Sequence, residues 1–237
     1  MPNRCEPGPQ GIAIRLNRVR EQILLAERRY GRPPDSVRLL AVSKGQASEA
    51  IREAVACGQR HFGESYLQEA RLKIHQLDDE RLVWHFVGPL QSNKTRDIAQ
   101  LFHWVHSIDR LKLALRLNAQ RPAQLPPLNV CLQVNLDRES SKRGVAPEAL
   151  GALAAEVGQL PHLRLRGLMA IPQRRTGLEA QRRGLAAARA LFDGLRAQGH
   201  RLDTLSMGMS SDMEAAIAEG STLVRIGTAI FGPRPSQ

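Results

Sequence analysis

Aromatic residues make up 4% of this 237-residue chain, too few for the stacking platform on which single-stranded nucleic acids lie. Cysteine is scarce too. Cys5, Cys57 and Cys131 are far apart, odd in number and without a C-x-x-C pair, which argues against a disulfide framework or a zinc site and leads us to expect reduced thiols in the cytoplasm. No stretch approaches the roughly 18 consecutive apolar residues of a membrane span, and the proline-bearing N-terminus (Pro2, Pro7, Pro9) has no apolar run of the signal-peptide kind. Neither membrane insertion nor secretion is expected. A P-loop, a G-x-G-x-x-G turn and a Ser-His-Asp order are all missing. Lysine is the most informative shortage: of 34 basic residues only Lys44, Lys73, Lys94, Lys112 and Lys142 are lysines. Arginine supplies the surface charge, so a lysine in an unusual place is a candidate for chemistry that needs an amine.

What is abundant is aliphatic: hydrophobic residues reach 42%, enough for one core of Leu, Val, Ile and Ala over residues 1–237. The net charge of +11 favours anionic partners such as phosphorylated metabolites, nucleic acid or acidic lipid without choosing among them. Arg15, Arg18, Arg20, Arg28, Arg29 and Arg32 recur at helical intervals beside apolar residues, as on a solvated helix face, unlike a dense nucleic-acid-binding tail. No specific nucleic-acid site is expected.

Periodicity predicts a first helix from Gly11 to Tyr30, ended by Gly31 and the Pro33-Pro34 pair. Strands are expected at 39–44, 60–64, 82–88, 103–108, 128–135, 163–169, 204–207 and 223–227. Helices are expected between them at 48–55, 66–77, 93–101, after Asp109 as a cap, and at 147–157, 178–198 and 211–219. Eight strands alternating with helices predict an α/β fold, a single (β/α)8 barrel with an extra N-terminal helix standing in for the outer helix that the last strand lacks. An open doubly wound sheet is the competitor.

Active sites of such barrels lie at the C-terminal ends of the strands. Strand one runs Leu39-Leu40-Ala41-Val42-Ser43-Lys44 into Gly45, and alternation puts Leu40, Val42 and Lys44 on one face. A partly desolvated lysine there has a nucleophilic amine fit for a Schiff base; a lysine that snorkels to solvent is the alternative. In such barrels phosphate is often held after strands seven and eight. Here those loops read Met207-Gly208-Met209-Ser210-Ser211, with Ser211 and Glu214 at capping-box spacing, and Gly227-Thr228-Ala229. Alternation sends Arg225 inward and Val224 and Ile226 outward, and it puts Asn135 on a face with Cys131 and Met169 on one with Gly167. An amine, a guanidinium, an amide and a thioether together suit a planar, phosphorylated, carbonyl-bearing ligand. His103 and His106 point to opposite faces of their strand, which argues against a shared metal. His85 reads as a packed strand residue, and Glu49, Glu53 and Glu64 as helix-surface or capping carboxylates.

Several segments closely resemble the YggS/PROSC family, the pyridoxal 5′-phosphate (PLP) homeostasis proteins. They are Val42-Ser43-Lys44, Phe62-Gly63-Glu64, 84–94 (WHFVGPLQSNK), Gly167-Leu168-Met169, 205–212 (LSMGMSSD) and 224–232 (VRIGTAIFG). The resemblance implies a barrel like the N-terminal domain of alanine racemase, with PLP held as a Schiff base on Lys44. It implies phosphate contacts from Ser206, Ser210, Gly227 and Thr228, and Asn135 and Met169 beside the ring. Arg225 would face the pyridine nitrogen, where a cation disfavours ring protonation and weakens the electron sink. Lys142 matches a family lysine linked to PLP release or exchange, with a solvated loop lysine as the alternative. Ser65 stands where the family often has asparagine. Only Pro233-Arg234-Pro235-Ser236-Gln237 follow the last strand motif, so the second domain that completes a two-base racemase site is expected to be missing. The function implied is intracellular PLP homeostasis: a cytoplasmic, monomeric carrier that buffers or delivers PLP, with PLP-dependent apo-enzymes as recipients and no catalytic turnover. A racemase-like PLP enzyme, a Schiff-base barrel enzyme for a sugar phosphate, and a nucleic-acid binder using the basic surface remain the rivals.

Overall fold

The computed structural model describes residues 11–139 and 143–233. Eight parallel strands close a barrel in sequence order: β1 (Arg38–Val42), β2 (His61–Glu64), β3 (Val83–Phe86), β4 (Trp104–Ile108), β5 (Leu128–Val134), β6 (Leu163–Ala170), β7 (Thr204–Ser206) and β8 (Leu223–Ile226). The ring shuts where β1 pairs with β8, Leu40 opposite Arg225. Alternation along these strands separates two layers. Leu39, Ala41, Phe62, Val224 and Ile226 join the large apolar core between sheet and helices. Trp104, Cys131 and Met169 form a small separate cluster with Val83. Between Val130 and Cys131 the β5–β6 register slips by one residue of β6, a bulge that re-aims the end of that strand.

The helices α1 (Ile12–Arg29), α2 (Ser48–Ala56), α3 (Leu67–Leu77), α4 (Thr95–Leu101), α5 (Leu111–Gln120), α6 (Leu150–Gly158), α7 (Leu178–Ala197), α8 (Met213–Ala218) and α9 (Thr228–Phe231) surround the sheet. Among the described residues the short α9 is the element that follows β8, and α1 fills the gap, packing on α2, α8 and α9. Its place is pinned by polar contacts: Glu53 Oε1 of α2 accepts the Ile12 N–H at 2.9 Å, and Arg15 Nε donates to the Ile230 carbonyl at 2.6 Å. Glu27, 2% exposed, accepts the Val37 N–H at 2.8 Å and so ties α1 to the entrance of β1.

Some expected boundaries move. Asp109 does not cap α5: Arg110 occupies that position, and Asp109 Oδ1 accepts from Arg110 Nη1 at 2.8 Å. The 147–157 helix opens with a 3-10 turn, Pro147–Ala149. The Ser211/Glu214 capping box does not form; Asp212 precedes α8, and Glu214 Oε1 instead accepts from Arg29 Nη1 and the Tyr30 hydroxyl, at 2.9 and 3.0 Å. A partner on α1 has outcompeted the local cap.

Candidate functional site

Lys44 lies two residues beyond β1 in a tight turn. The Gln46 N–H donates to the Ser43 carbonyl at 3.1 Å, and Gly45, third of the four residues, has φ 72°, a left-handed angle that glycine adopts without strain. Behind the turn sits a buried charged cluster. Lys73 of α3, 4% exposed, donates to the Ser43 carbonyl at 2.7 Å, to Glu64 Oε1 at 2.7 Å and to Glu69 Oε1 at 2.5 Å. Ser43 Oγ donates to Glu64 Oε1 at 2.7 Å, and Glu69 Oε1 accepts the Gly45 N–H at 2.5 Å. Glu64 is therefore not the surface or capping carboxylate expected. It shares the outward face of β2 with Phe62 and is fully buried. Burial raises its pKa, while the Lys73 ammonium opposes that shift. The lysine shortage that singled out Lys44 applied equally to Lys73, and that signal could have found the cluster.

At the C-terminal mouth of the barrel, Lys44, Ser210, Arg225, Gly227 and Thr228 line one cavity of about 460 Å³, together with Val42, Ser65, Val87 and Arg174. This volume lies within the roughly 300–1,000 Å³ of small-molecule pockets. Its ionisable lining residues, Lys44, Arg174 and Arg225, are all basic, and no carboxylate joins them among the described lining residues. A larger groove of about 1440 Å³ at the opposite end of the barrel mixes arginines with Asp193 and Asp203, and none of the expected site residues reaches it.

Arg225 is 6% exposed yet bonds to no carboxylate among the described residues. Its Nη1 donates to the Ser206 carbonyl and Oγ at 2.7 and 2.8 Å, and its Nη2 to the Ala170 carbonyl at 3.0 Å. Burial lowers its pKa to about 10, with Asp212 the largest influence the other way, so it remains a cation.

Three expected residues lie elsewhere. Ser206 is fully buried beneath Arg225, outside the cavity lining, with its hydroxyl engaged from below. Met169 packs with Trp104 and Cys131 inside the barrel. Asn135 opens the β5–α6 loop, its Nδ2 donating to the Glu139 carbonyl at 2.9 Å. Lys142 falls outside the described residues. Sequence reasoning missed the contents of the barrel beneath the cavity. His106 Nδ1 lies 3.0 Å from Ser206 Oγ, His106 Nε2 lies 2.9 Å from His85 Nδ1, and His85 Nε2 lies 3.0 Å from His61 Nδ1. His85 is a packed strand residue, but packed within a polar chain.

The alanine racemase N-terminal domain family matches residues 14–235. The Pseudomonas aeruginosa pyridoxal phosphate homeostasis protein is 59% identical over 223 residues, covering 94% of this chain and 96% of the relative. The Escherichia coli K12 protein of the same name is 53% identical over 226 residues, covering 94% and 97%. The structure of PipY from Synechococcus elongatus PCC7942 with PLP bound is similar at a TM-score of 0.83 and 42% identity, over 93% of this chain and all (100%) of that one. Alanine racemase of Clostridium difficile 630 shares the fold at a TM-score of 0.74 and 15% identity, over 96% of this chain and 58% of its own. By the span of the family match and the identity to these relatives, the chain belongs to the alanine racemase N-terminal domain family and, within it, to the pyridoxal phosphate homeostasis proteins, the YggS/PROSC group.

Proposed function

We propose that this chain binds PLP and buffers or delivers it within the cytoplasm, acting as a monomer without catalytic turnover of its own. One observation carries the reading: an amine, two guanidinium groups and four hydroxyls converge on a cavity whose described lining has no carboxylate. That donor set fits a phosphorylated aldehyde. When bound, PLP supplies an aldehyde carbon that takes a primary amine reversibly and a phosphate that seeks hydroxyl and amide donors. Lys44 would hold it through the amine, Ser210, Gly227 and Thr228 would hold the phosphate, and Arg225 would meet the ring nitrogen. Ser206 would act from beneath Arg225, where it lies, rather than on the phosphate. The naming of the relatives as homeostasis proteins and the PLP-bound PipY structure support the same reading.

The absence of turnover rests on proton chemistry. Moving a substrate proton between two faces needs a base and an acid on opposite sides. Among the described lining residues, Lys44 is the side chain suited to that exchange, because the others are apolar, hydroxyl, amide or guanidinium groups. Purified protein should retain PLP through dialysis, give no product from D- or L-amino acids, and restore activity to an apo PLP enzyme in a separate compartment-free assay. Turnover of an amino acid would overturn the carrier role; failure to retain PLP would overturn the binding.

A further inference from the structure

A hydrogen-bonded column crosses the barrel interior from β8 to β2: Arg225, Ser206, His106, His85 and His61. Its polarity can be worked out atom by atom. A guanidinium only donates, so Ser206 Oγ accepts from Arg225 Nη1 at 2.8 Å. The remaining contact of that hydroxyl among the described residues is His106 Nδ1 at 3.0 Å, which must accept its proton if the buried hydroxyl is to be satisfied. A neutral imidazole that accepts on one nitrogen carries its proton on the other. His106 therefore donates from Nε2 to His85 Nδ1 at 2.9 Å, and His85 donates from Nε2 to His61 Nδ1 at 3.0 Å. His61 is left with its proton on Nε2, at the half-buried end of the column. The reverse polarity would strand the Ser206 proton in a site with no exposure.

The surroundings keep the imidazoles neutral. Arg225 stands over one end, and Arg38 and His103 act on the other. Trp104 stacks on His85 at 5.3 Å and 13°, and Cys131, its thiol pushed up to about 12 by burial, is uncharged. Burial, reinforced by Arg38 and Arg225, lowers His61 to about 4 and His106 to about 3, and puts His85 well below the usual histidine value.

We propose that His106 is a positioning residue for Arg225, acting through Ser206, and that the guanidinium in turn locks His106, His85 and His61 as one column of Nε2–H imidazoles. By taking the Ser206 proton, His106 keeps an oxygen lone pair aimed at Nη1. Arg225 is thus oriented by two carbonyls and a hydroxyl, with no carboxylate bonded to it among the described residues. The consequence at the cofactor rests on the reading that Arg225 meets the PLP ring nitrogen; the tautomers do not.

The test therefore has two arms. In the first, PLP-free protein labelled with 15N-histidine is followed by long-range proton–nitrogen correlation between about pH 5 and 8, with His106→Asn used to assign the His106 signal. The column predicts three Nε2–H imidazoles that stay neutral throughout, and loss of the single tautomer at His106 in Ser206→Ala. A Nδ1–H His106, or an imidazolium among the three in that range, would overturn the proposal whatever the protein does with PLP. In the second arm, PLP-loaded His106→Asn and His106→Leu are compared. Asparagine places an acceptor oxygen where Nδ1 stood, so it should keep wild-type PLP retention and visible spectrum. Leucine should weaken retention about three- to tenfold, the effect of one buried hydrogen bond, and shift the pH dependence of the spectrum. Equal behaviour of the two variants would reduce His106 to packing and overturn the positioning role. If His106→Leu does not fold, Ser206→Ala makes the same cut with a smaller change. If wild-type protein takes up no PLP, the function proposed above fails while the first arm still decides the column.

Discussion

Lys44 and Arg225 were legible as residues because strand alternation is a local rule. It sent Arg225 inward opposite Leu40 and left Val224 and Ile226 in the outer core. Glu64 obeyed the same rule and was misread, because its partner lies nine residues on, upon the next helix. The Lys73–Glu64 pair makes a specific prediction. Lys73→Met leaves a carboxyl fully buried with its cation gone, and breaking a buried pair from one side costs about 3–5 kcal/mol, lessened where the carboxyl can take up a proton. Lys73→Met should therefore lower the urea midpoint strongly, and Lys73→Met/Glu64→Gln should recover part of the loss. Because Lys73 also holds the Ser43 carbonyl, the single variant should loosen the Lys44 turn and retain PLP less well. An unchanged midpoint would show that the cluster contributes nothing.

Among the elements, the alternation of strands and helices was readable because apolar periodicity changes sharply between β and α segments. Helix starts were harder, since Arg29, Tyr30 and Glu53 act from elements distant in sequence. The histidine column was not legible at all: closure of the barrel brings His106 of β4 to Ser206 of β7, a hundred positions away, and no spacing rule reports such a contact. The loop from β7 to α8 shows what the mouth demands of its backbone. Gly208 has φ 94°, and a Cβ there would sit 2.5 Å from the Ala216 Cβ. Gly208→Ala should cost about 1–3 kcal/mol through overpacking and backbone strain. By moving the loop that carries Ser210, it should also weaken PLP retention. Wild-type stability and retention in that variant would mean the loop is more tolerant than its packing indicates.

For the whole molecule, pH is the useful lever. His61, His85 and His106 have pKa values below normal when folded, whereas in the unfolded chain each titrates near the ordinary value of about 6.5. Below that pH the unfolded chain binds more protons. Stability should then fall by about 1.4 kcal/mol per pH unit for each histidine that gains a proton only on unfolding. For His61 and His106 the loss continues down to folded values of about 4 and about 3. Glu64 works in the opposite direction because its folded pKa is raised, but it is one group against three. The urea midpoint should be flat above about pH 7 and drop clearly by about pH 5.5; a midpoint indifferent to this change would contradict the neutral column. At the same scale, the described part of the chain has no helix long and apolar enough to cross a membrane, and its basic lining at the barrel mouth favours a small anionic ligand.

Whether Lys44 holds PLP is decided by borohydride reduction of PLP-loaded protein followed by peptide mass mapping, with Lys44→Ala alongside. One stable phosphopyridoxyl mass is expected, on the peptide carrying Lys44, and it should be lost in Lys44→Ala. An undiminished adduct in that variant, or a wild-type adduct mapped to Lys73, Lys94, Lys112 or Lys142, would contradict the linkage to Lys44.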